Sequence, residues 1–245
     1  MTARQDLKDK RTPLRLTGMA DQLGASMEPA AQKNLDRLTT LTRLADIELA
    51  QRFPNAIALR WKQATLTEKL PIDQVDFAHH TSRQEQKTRM LHLLNLDVVR
   101  AHMEVIRIGN PGAGKTFLAK CLAYAACTAN ITVLFATASA MINHLIAAEA
   151  DHARRKKRQH YQTPDLLGGD EMGYLSLGPQ GSHLFFQVIS GRHQHTSTVI
   201  TTTLPFAEGG KVFDATTGAT AIADRLVHNS EVLLLGGTRS RRKLT

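Results

Sequence analysis

The stretch Val105-Ile106-Arg107-Ile108, followed by Gly109-Asn110-Pro111-Gly112-Ala113-Gly114-Lys115-Thr116, sets the architecture of this chain. The first four residues read as a short strand, the next eight match G-x-x-x-x-G-K-[ST], and TFLAKCLAYAACTA continues with helical character. Strand, glycine-rich turn and helix in that order make a Walker A phosphate loop. Its glycines let the backbone curl until successive N–H groups face an anion, and the helix N-terminus adds partial positive charge. Lys115 is predicted to reach the β- and γ-phosphates of a bound ATP, and the Thr116 hydroxyl to ligate Mg2+.

Outward from this loop, short β-rich runs alternate with helical patterns. ITVLFAT at 131–137, DLLGGD ending at Asp170, STVITTT ending at Thr203 and EVLLL at 231–235 read as further strands. Helices are predicted after Lys115, from Ser139 to about Ala150 and from Gly181 to Arg192. Strands joined through helices imply crossover connections, so a mainly parallel sheet flanked by helices is expected, an α/β fold of the P-loop NTPase type.

A nucleotide-hydrolysing site also needs acidic groups at a neighbouring strand end. Asp170 and Glu171 supply them, as a Walker B element would: Asp170 to hold Mg2+, Glu171 to orient the attacking water. Gly168 and Gly169 precede them where a buried strand normally carries bulky side chains, and two glycines weaken a strand. Gly173 and Gly178 mark a turn just afterwards.

The N-terminal region has a different rhythm. RLTGMADQLGA fits a short helix. From Asn34 to Arg52, Leu35, Leu38, Leu41, Leu44, Ala45, Ile47 and Leu49 recur at spacings of three and four, which predicts an amphipathic helix. A second helical piece is predicted from Ile57 to Lys69, with Trp61 packed on the Leu stripe. Pro71 and IDQVDF read as an extended connector. The expected division is a helical domain over 1–75, for partner or DNA contact, and an ATPase domain over 76–245.

The chain has 245 residues, 31 Lys plus Arg against 22 Asp plus Glu, and a net charge of +9, which favours a polyanionic partner. Hydrophobic residues at 42% and charged residues at 22% exclude wholesale disorder. Cys121 and Cys127 lie in a predicted helix without metal-ligand spacing, so neither a disulfide scaffold nor a zinc site is expected. His79-His80 and His193-Gln194-His195 read as polar surface positions. No apolar run approaches the roughly 18 residues of a membrane span, and no signal peptide is visible, so no membrane association and a cytoplasmic location are expected.

Two basic runs stand out: Arg154-Arg155-Lys156-Lys157-Arg158, and Arg239, Arg241, Arg242 and Lys243. The first reads either as a solvated loop or as a contact to the phosphates of double-stranded DNA, sequence-independent and weakened by salt. No aromatic residues interleave with either run, so a base-stacking platform is not supported.

Taken together, GNPGAGKTFLAKCLAYAA, VLFATASAMINHL, PDLLGGDEMGYLSLGPQGSHLFFQVISGRHQHTSTVITTTLPF and ADRLVHNSEVLLLGG resemble the IstB-like transposition helper ATPases. These are relatives of the DnaC helicase loaders within the AAA+ class. RLTGMADQL and DFAHH also sit where that family has similar sequence. The resemblance implies ATP and Mg2+ as cofactors, a transposase and DNA as partners, and self-association through ATP-bridged interfaces. It implies that Gly109 to Thr116 and Asp170 hold the nucleotide and its metal, and that Glu171 activates water. Thr203 occupies the sensor position where the family normally has Asn, and a threonine lacks an amide's reach. Arg225 matches the arginine finger, which acts on ATP held by a neighbouring subunit. Arg241 falls near the second-sensor arginine, with Arg239 or Arg242 as substitutes. Gly209-Gly210 stands where the family commonly has tryptophan. Gly168, Gly169 and Thr203 predict weakened hydrolysis beside an intact phosphate loop. Two other readings fit the same residues: a helicase loader, and a nucleotide-switched DNA-binding protein with impaired hydrolysis.

Overall fold

The computed structural model describes residues 16–32, 36–74, 81–150, 153–172, 177–203 and 219–235. The chain divides into two compact units, Met1–Leu59 and Arg60–Thr245. Residues 60–74, grouped by sequence with the helical region, therefore belong to the larger unit.

The smaller unit contains α1 (Thr17–Gln32) and most of α2 (Arg37–Gln63), whose last residues, from Arg60, belong to the larger unit. Glu48 of α2 is buried and accepts the Met19 N–H at 2.9 Å, and this bond is the first cause that holds its carboxyl below the usual range. Helix α2 is one continuous element where two pieces were expected. Pro54 lies inside it: a proline removes one ladder bond, and here the helix continues past it. The packed face carries Leu44 and Glu48, whereas Leu38 (73% exposed), Leu41 and Leu49 of the predicted stripe face solvent. Trp61, expected on that stripe, belongs to the larger unit. It meets Tyr124 edge to face, with ring centroids 5.5 Å apart, against the core of the larger unit.

The larger unit contains α3 (Thr81–Leu93), α4 (Asp97–Arg100), β1 (Glu104–Gly109), α5 (Lys115–Thr128), β2 (Val133–Thr137), α6 (Ala138–Ala150) and α7 (Arg154–Gln162). It continues with β3 (Leu166–Met172), α8 (Gly178–Arg192), β4 (Ser197–Thr202), α9 (Ala219–His228) and β5 (Ser230–Leu235). The five strands form one sheet in the order β2-β3-β4-β1-β5, with every pairing parallel. This is the P-loop NTPase arrangement expected from the alternating pattern, and β4 is inserted between the phosphate-loop strand and the acidic strand.

Alternation along the strands divides the core into two. Val105, Val133, Phe135, Leu166, Val199 and Leu233 face α5 and the helices that precede β1. Ile106, Leu134, Leu167 and Ile200 face α6 to α9. The outer edge of β2 is covered, because the Phe135 N–H donates to Ala64 O at 3.0 Å and the Thr65 hydroxyl donates to Phe135 O. Below the sheet, Arg192 is wholly buried and donates to the carbonyls of Tyr161, Gln162, Pro164 and Ser197 and to the Thr198 hydroxyl, which ties the ends of α7, α8 and β4 together. His193 is not a plain surface residue: its Nδ1 lies 4.0 Å from Oε1 of buried Glu104, whose carboxyl is pushed up to about 7 by burial.

The two strand glycines differ in cause. A Cβ on Gly168 would stand 2.2 Å from Phe135 Cδ2, so the ring on β2 occupies the space a side chain would need. A Cβ on Gly169 would meet Ile200 Cγ1 at 3.8 Å, an ordinary contact. Gly169→Ala is therefore expected to change stability by less than about 1 kcal/mol, on the stabilising side, because it restricts the unfolded chain without a clash. Urea denaturation measures this, and a loss above that size would mean that the backbone at this position cannot accept a side chain.

Candidate functional site

The phosphate loop joins the C-terminal end of β1 to the first turn of α5. Gly112 and Gly114 have φ of 80° and 87°, a region that glycine enters without steric cost, and this turns the loop back onto the helix. The Lys115 side chain is largely buried, and its Nζ donates to Gly109 O at 2.7 Å and Asn110 O at 3.0 Å. Burial lowers its pKa, opposed by the negative charges of Asp170 and Glu171. A cavity of about 300 Å3 lies over the loop, lined by Glu68, Leu70, Gly112, Gly114, Lys115, Thr116, Phe117 and Lys120. Glu68 and Leu70 come from the segment after α2, which no local pattern places beside the loop.

The acidic pair is brought to the same end of the sheet by β3. Thr116 Oγ1 donates to Asp170 Oδ1 at 2.9 Å, which joins the helix after the phosphate loop to the acidic strand. A hydroxyl and a carboxylate at this separation, beside a cradle of backbone N–H groups, are the hard oxygen donors that suit Mg2+ on a nucleotide. Thus the residues fit a Mg2+-nucleotide. Glu171 follows in an irregularity of β3, exposed and with φ of 58°, an uncommon value for a residue with a side chain.

Thr203 lies one residue past β4, half-buried, at the strand end between the loop and the acidic pair. The residue that touches the acidic pair is Thr201, which the sequence reading passed over. Its hydroxyl donates to Asp170 Oδ1 and accepts the Glu171 N–H at 3.0 Å. The available signal was its position two residues before Thr203, and hence on the same face of the strand. Arg107 pairs with Thr201 across β1 and β4, and it is wholly buried, with no hydrogen-bond partner for Nε or Nη1 among the described residues.

Arg225 does not approach this chain's own phosphate loop. Helix α9 leads into the start of β5, which pairs with the start of β1, a full strand length away from Gly109. Its guanidinium lies 4.7 Å above the centre of the Phe186 ring on α8. Arg241, Arg239, Arg242 and Lys243, the LPF segment and Gly209-Gly210 lie outside the described residues, as does DFAHH.

The run Arg154 to Arg158 is a helix, not a loop. These five cations fill the start of α7, which has no acidic residue in its first turn and no side-chain cap. Arg154, Arg155 and Lys156 are exposed, while Lys157 and Arg158 are half-buried. Arg158 donates to Gln187 Oε1 at 2.8 Å, and Arg154 lies 3.5 Å from Glu149. Tyr161, buried in the core and bonded to His144 at 2.8 Å, anchors the far end of the helix. Among the described residues, no group of His, Cys, Asp and Glu forms another metal cluster, and no helix is long and apolar enough to cross a membrane.

Known proteins agree with this geometry. The chain is 32% identical to the ATP-binding protein named for insertion sequence IS5376 of Geobacillus stearothermophilus, over 93% of this chain and 90% of that one. It is 30% identical to the ATP-binding protein named for insertion sequence IS21 of Pseudomonas aeruginosa, over 94% and 86%. In fold it is similar to the DnaC helicase loader, with a TM-score of 0.59, 18% identity and coverage of 68% of this chain and 96% of that one. DnaA from Aquifex aeolicus, solved with AMPPCP, gives a TM-score of 0.59 at 14% identity, over 70% of this chain and 51% of that one. With residues 10–245 matching the family described as IstB-like ATP binding protein, the chain belongs to that family of insertion-sequence ATP-binding proteins, built on a P-loop fold.

Proposed function

We propose that this protein is an ATP-hydrolysing helper of a transposase, which assembles on double-stranded DNA in a nucleotide-dependent way. The observation that carries the reading is the Thr116–Asp170 hydrogen bond, which unites the phosphate loop with the acidic strand end in a chain of this family. In this reading the loop N–H groups and Lys115 bind the β- and γ-phosphates, and Lys115 exchanges its two carbonyl partners for them. Thr116 and Asp170 hold Mg2+, which when bound neutralises phosphate charge. Glu171 accepts a proton from, or orients, the attacking water, with Thr203 as a shorter-reaching sensor. Arg225 of a neighbouring copy supplies positive charge to the same site, so nucleotide binding favours assembly.

Of the three departures that argued against hydrolysis, Gly168 and Gly169 keep their ladder pairing on both sides, and in this reading Thr203 is the one that favours slow turnover. ATP hydrolysis with and without duplex DNA, beside binding of a fluorescent ATP analogue, tests the reading. DNA-stimulated turnover supports it. Analogue binding without turnover would replace it with a nucleotide-operated switch.

The DNA contact is assigned to α7. Positive charge at a helix N-terminus opposes the helix dipole, so this arrangement gains when a polyanion lies across it. Replacing Arg154, Arg155 and Lys156 together by Ala is expected to weaken duplex binding at physiological salt by about 100-fold. The slope of log K against log salt should become shallower by about 2.7, three phosphate contacts fewer. An unchanged slope would move the DNA path elsewhere on the protein. The helical region within 1–75 is proposed to engage the transposase through its part before Arg60, and a pull-down with residues 60–245 alone, the whole of the larger unit, should lose the transposase if this is so.

A further inference from the structure

The geometry points to Thr201 as the positioning residue of the hydrolysis pair: one hydroxyl that holds both the metal carboxylate and the backbone of the water-activating glutamate. The inference rests on the ATPase reading above and adds to it a residue which that reading does not use.

The argument starts from the register. Along β3 and β4, Leu166 pairs with Ser197 and the ladder runs evenly to Gly169 and Ile200, but the next pair is Met172 with Thr202. Asp170 and Glu171 therefore stand together opposite Thr201 alone. Two residues against one is a β-bulge, which leaves a backbone group without its ladder partner and bends the strand. Here the side chain of the opposing residue repairs the ladder. Thr201 Oγ1 accepts the Glu171 N–H at 3.0 Å, and its one proton goes to Asp170 Oδ1.

A hydroxyl offers one donor and two lone pairs, so both bonds form at once. Thr201 is buried, as is Asp170. Asp170 Oδ1 also accepts Thr116 Oγ1, and hydroxyls from β4 and α5 thus converge on one carboxylate oxygen and fix its plane. Glu171, held at φ of 58°, keeps an unfavourable backbone only while its neighbours over-determine it, and the bond to Thr201 is part of that restraint. A single side chain thereby sets the relative placement of the two acidic groups.

Thr201→Val keeps the shape and the β-branch while removing both bonds, and Thr201→Ser keeps the hydroxyl. The experiment titrates Mg2+ at fixed fluorescent ATP analogue and measures ATP turnover for wild type and both variants. Emission from Trp61, the chain's single tryptophan, reports that each variant is folded. The Val variant is expected to need about 10- to 100-fold more Mg2+ to bind the analogue. Its kcat should fall by about 10- to 100-fold while KM at saturating Mg2+ moves far less. The Ser variant should return both within about threefold of wild type. An unchanged Mg2+ requirement in a folded Val variant, or a Ser variant as impaired as Val, overturns the assignment. If wild type binds the analogue without turning ATP over, the hydrolysis reading fails by itself, and the Mg2+ titration still decides Thr201. If wild type binds no analogue at all, both readings fall.

Discussion

A Lys115→Ala variant is expected to bind an ATP analogue at least about 100-fold more weakly than wild type, through loss of charge-assisted hydrogen bonds together worth about 3 kcal/mol. The reason lies in the loop geometry: Nζ is held within the loop, 2.7 Å from Gly109 O, where in the proposed reading it exchanges loop carbonyls for phosphate oxygens. Its pKa is lowered by burial, and the carboxylates of Asp170 and Glu171 act against that lowering. Glu171→Gln separates binding from chemistry. The amide preserves size and hydrogen bonding but cannot accept the proton, so turnover should fall by about 100- to 10,000-fold while analogue affinity stays within a few-fold. Fluorescence titration and phosphate release measure the two arms. Equal loss of affinity in both variants would mean that Glu171 contributes to nucleotide binding and not to water activation.

The second large effect is structural. Gly168→Ala is expected to destabilise the protein by about 3 kcal/mol, because the added Cβ would stand 2.2 Å from Cδ2 at the edge of the Phe135 ring. The test is a double-mutant cycle by urea denaturation. Phe135→Ala alone should cost about 3–5 kcal/mol through the cavity it leaves. Combined with Gly168→Ala, it should cost clearly less than the sum, since the methyl group enters the space the ring vacates. Additive losses would show that Gly168 is required for a reason other than this ring.

The strands were legible because each is a short β-rich run between helical patterns, and all five fall within two residues of the predicted spans. The phosphate loop and the acidic pair were legible because their chemistry fixes residue types at fixed spacing. What escaped depends on contacts distant in sequence. Gly168 reads as a weakness until Phe135 is seen beside it, and Trp61 reads as part of a helical stripe until Tyr124 is seen opposite. The gap expected between Arg52 and Ile57 is not there, since the helix runs on through Pro54. The basic run fits a loop by composition, and its helical state rests on Tyr161, whose burial no local pattern announces. Thr201 was hidden for the same reason, since its importance comes from a two-against-one register that exists only once β3 and β4 are paired.

The strand order also governs how damage to the coding sequence would be felt. β1, which carries the phosphate loop, lies between β4 and β5, both translated long after it. The last residue of β5 touches the first residue of the loop, since a Cβ on Gly109 would fall 2.1 Å from Leu235 O. A frameshift between residues 203 and 230 would strip one flank from β1 and leave its backbone as an open edge. The loop itself would be intact in the surviving sequence and yet have no completed sheet to stand on. A mobile element encoding such a copy would yield an aggregation-prone fragment, not a weakened ATP-binding protein.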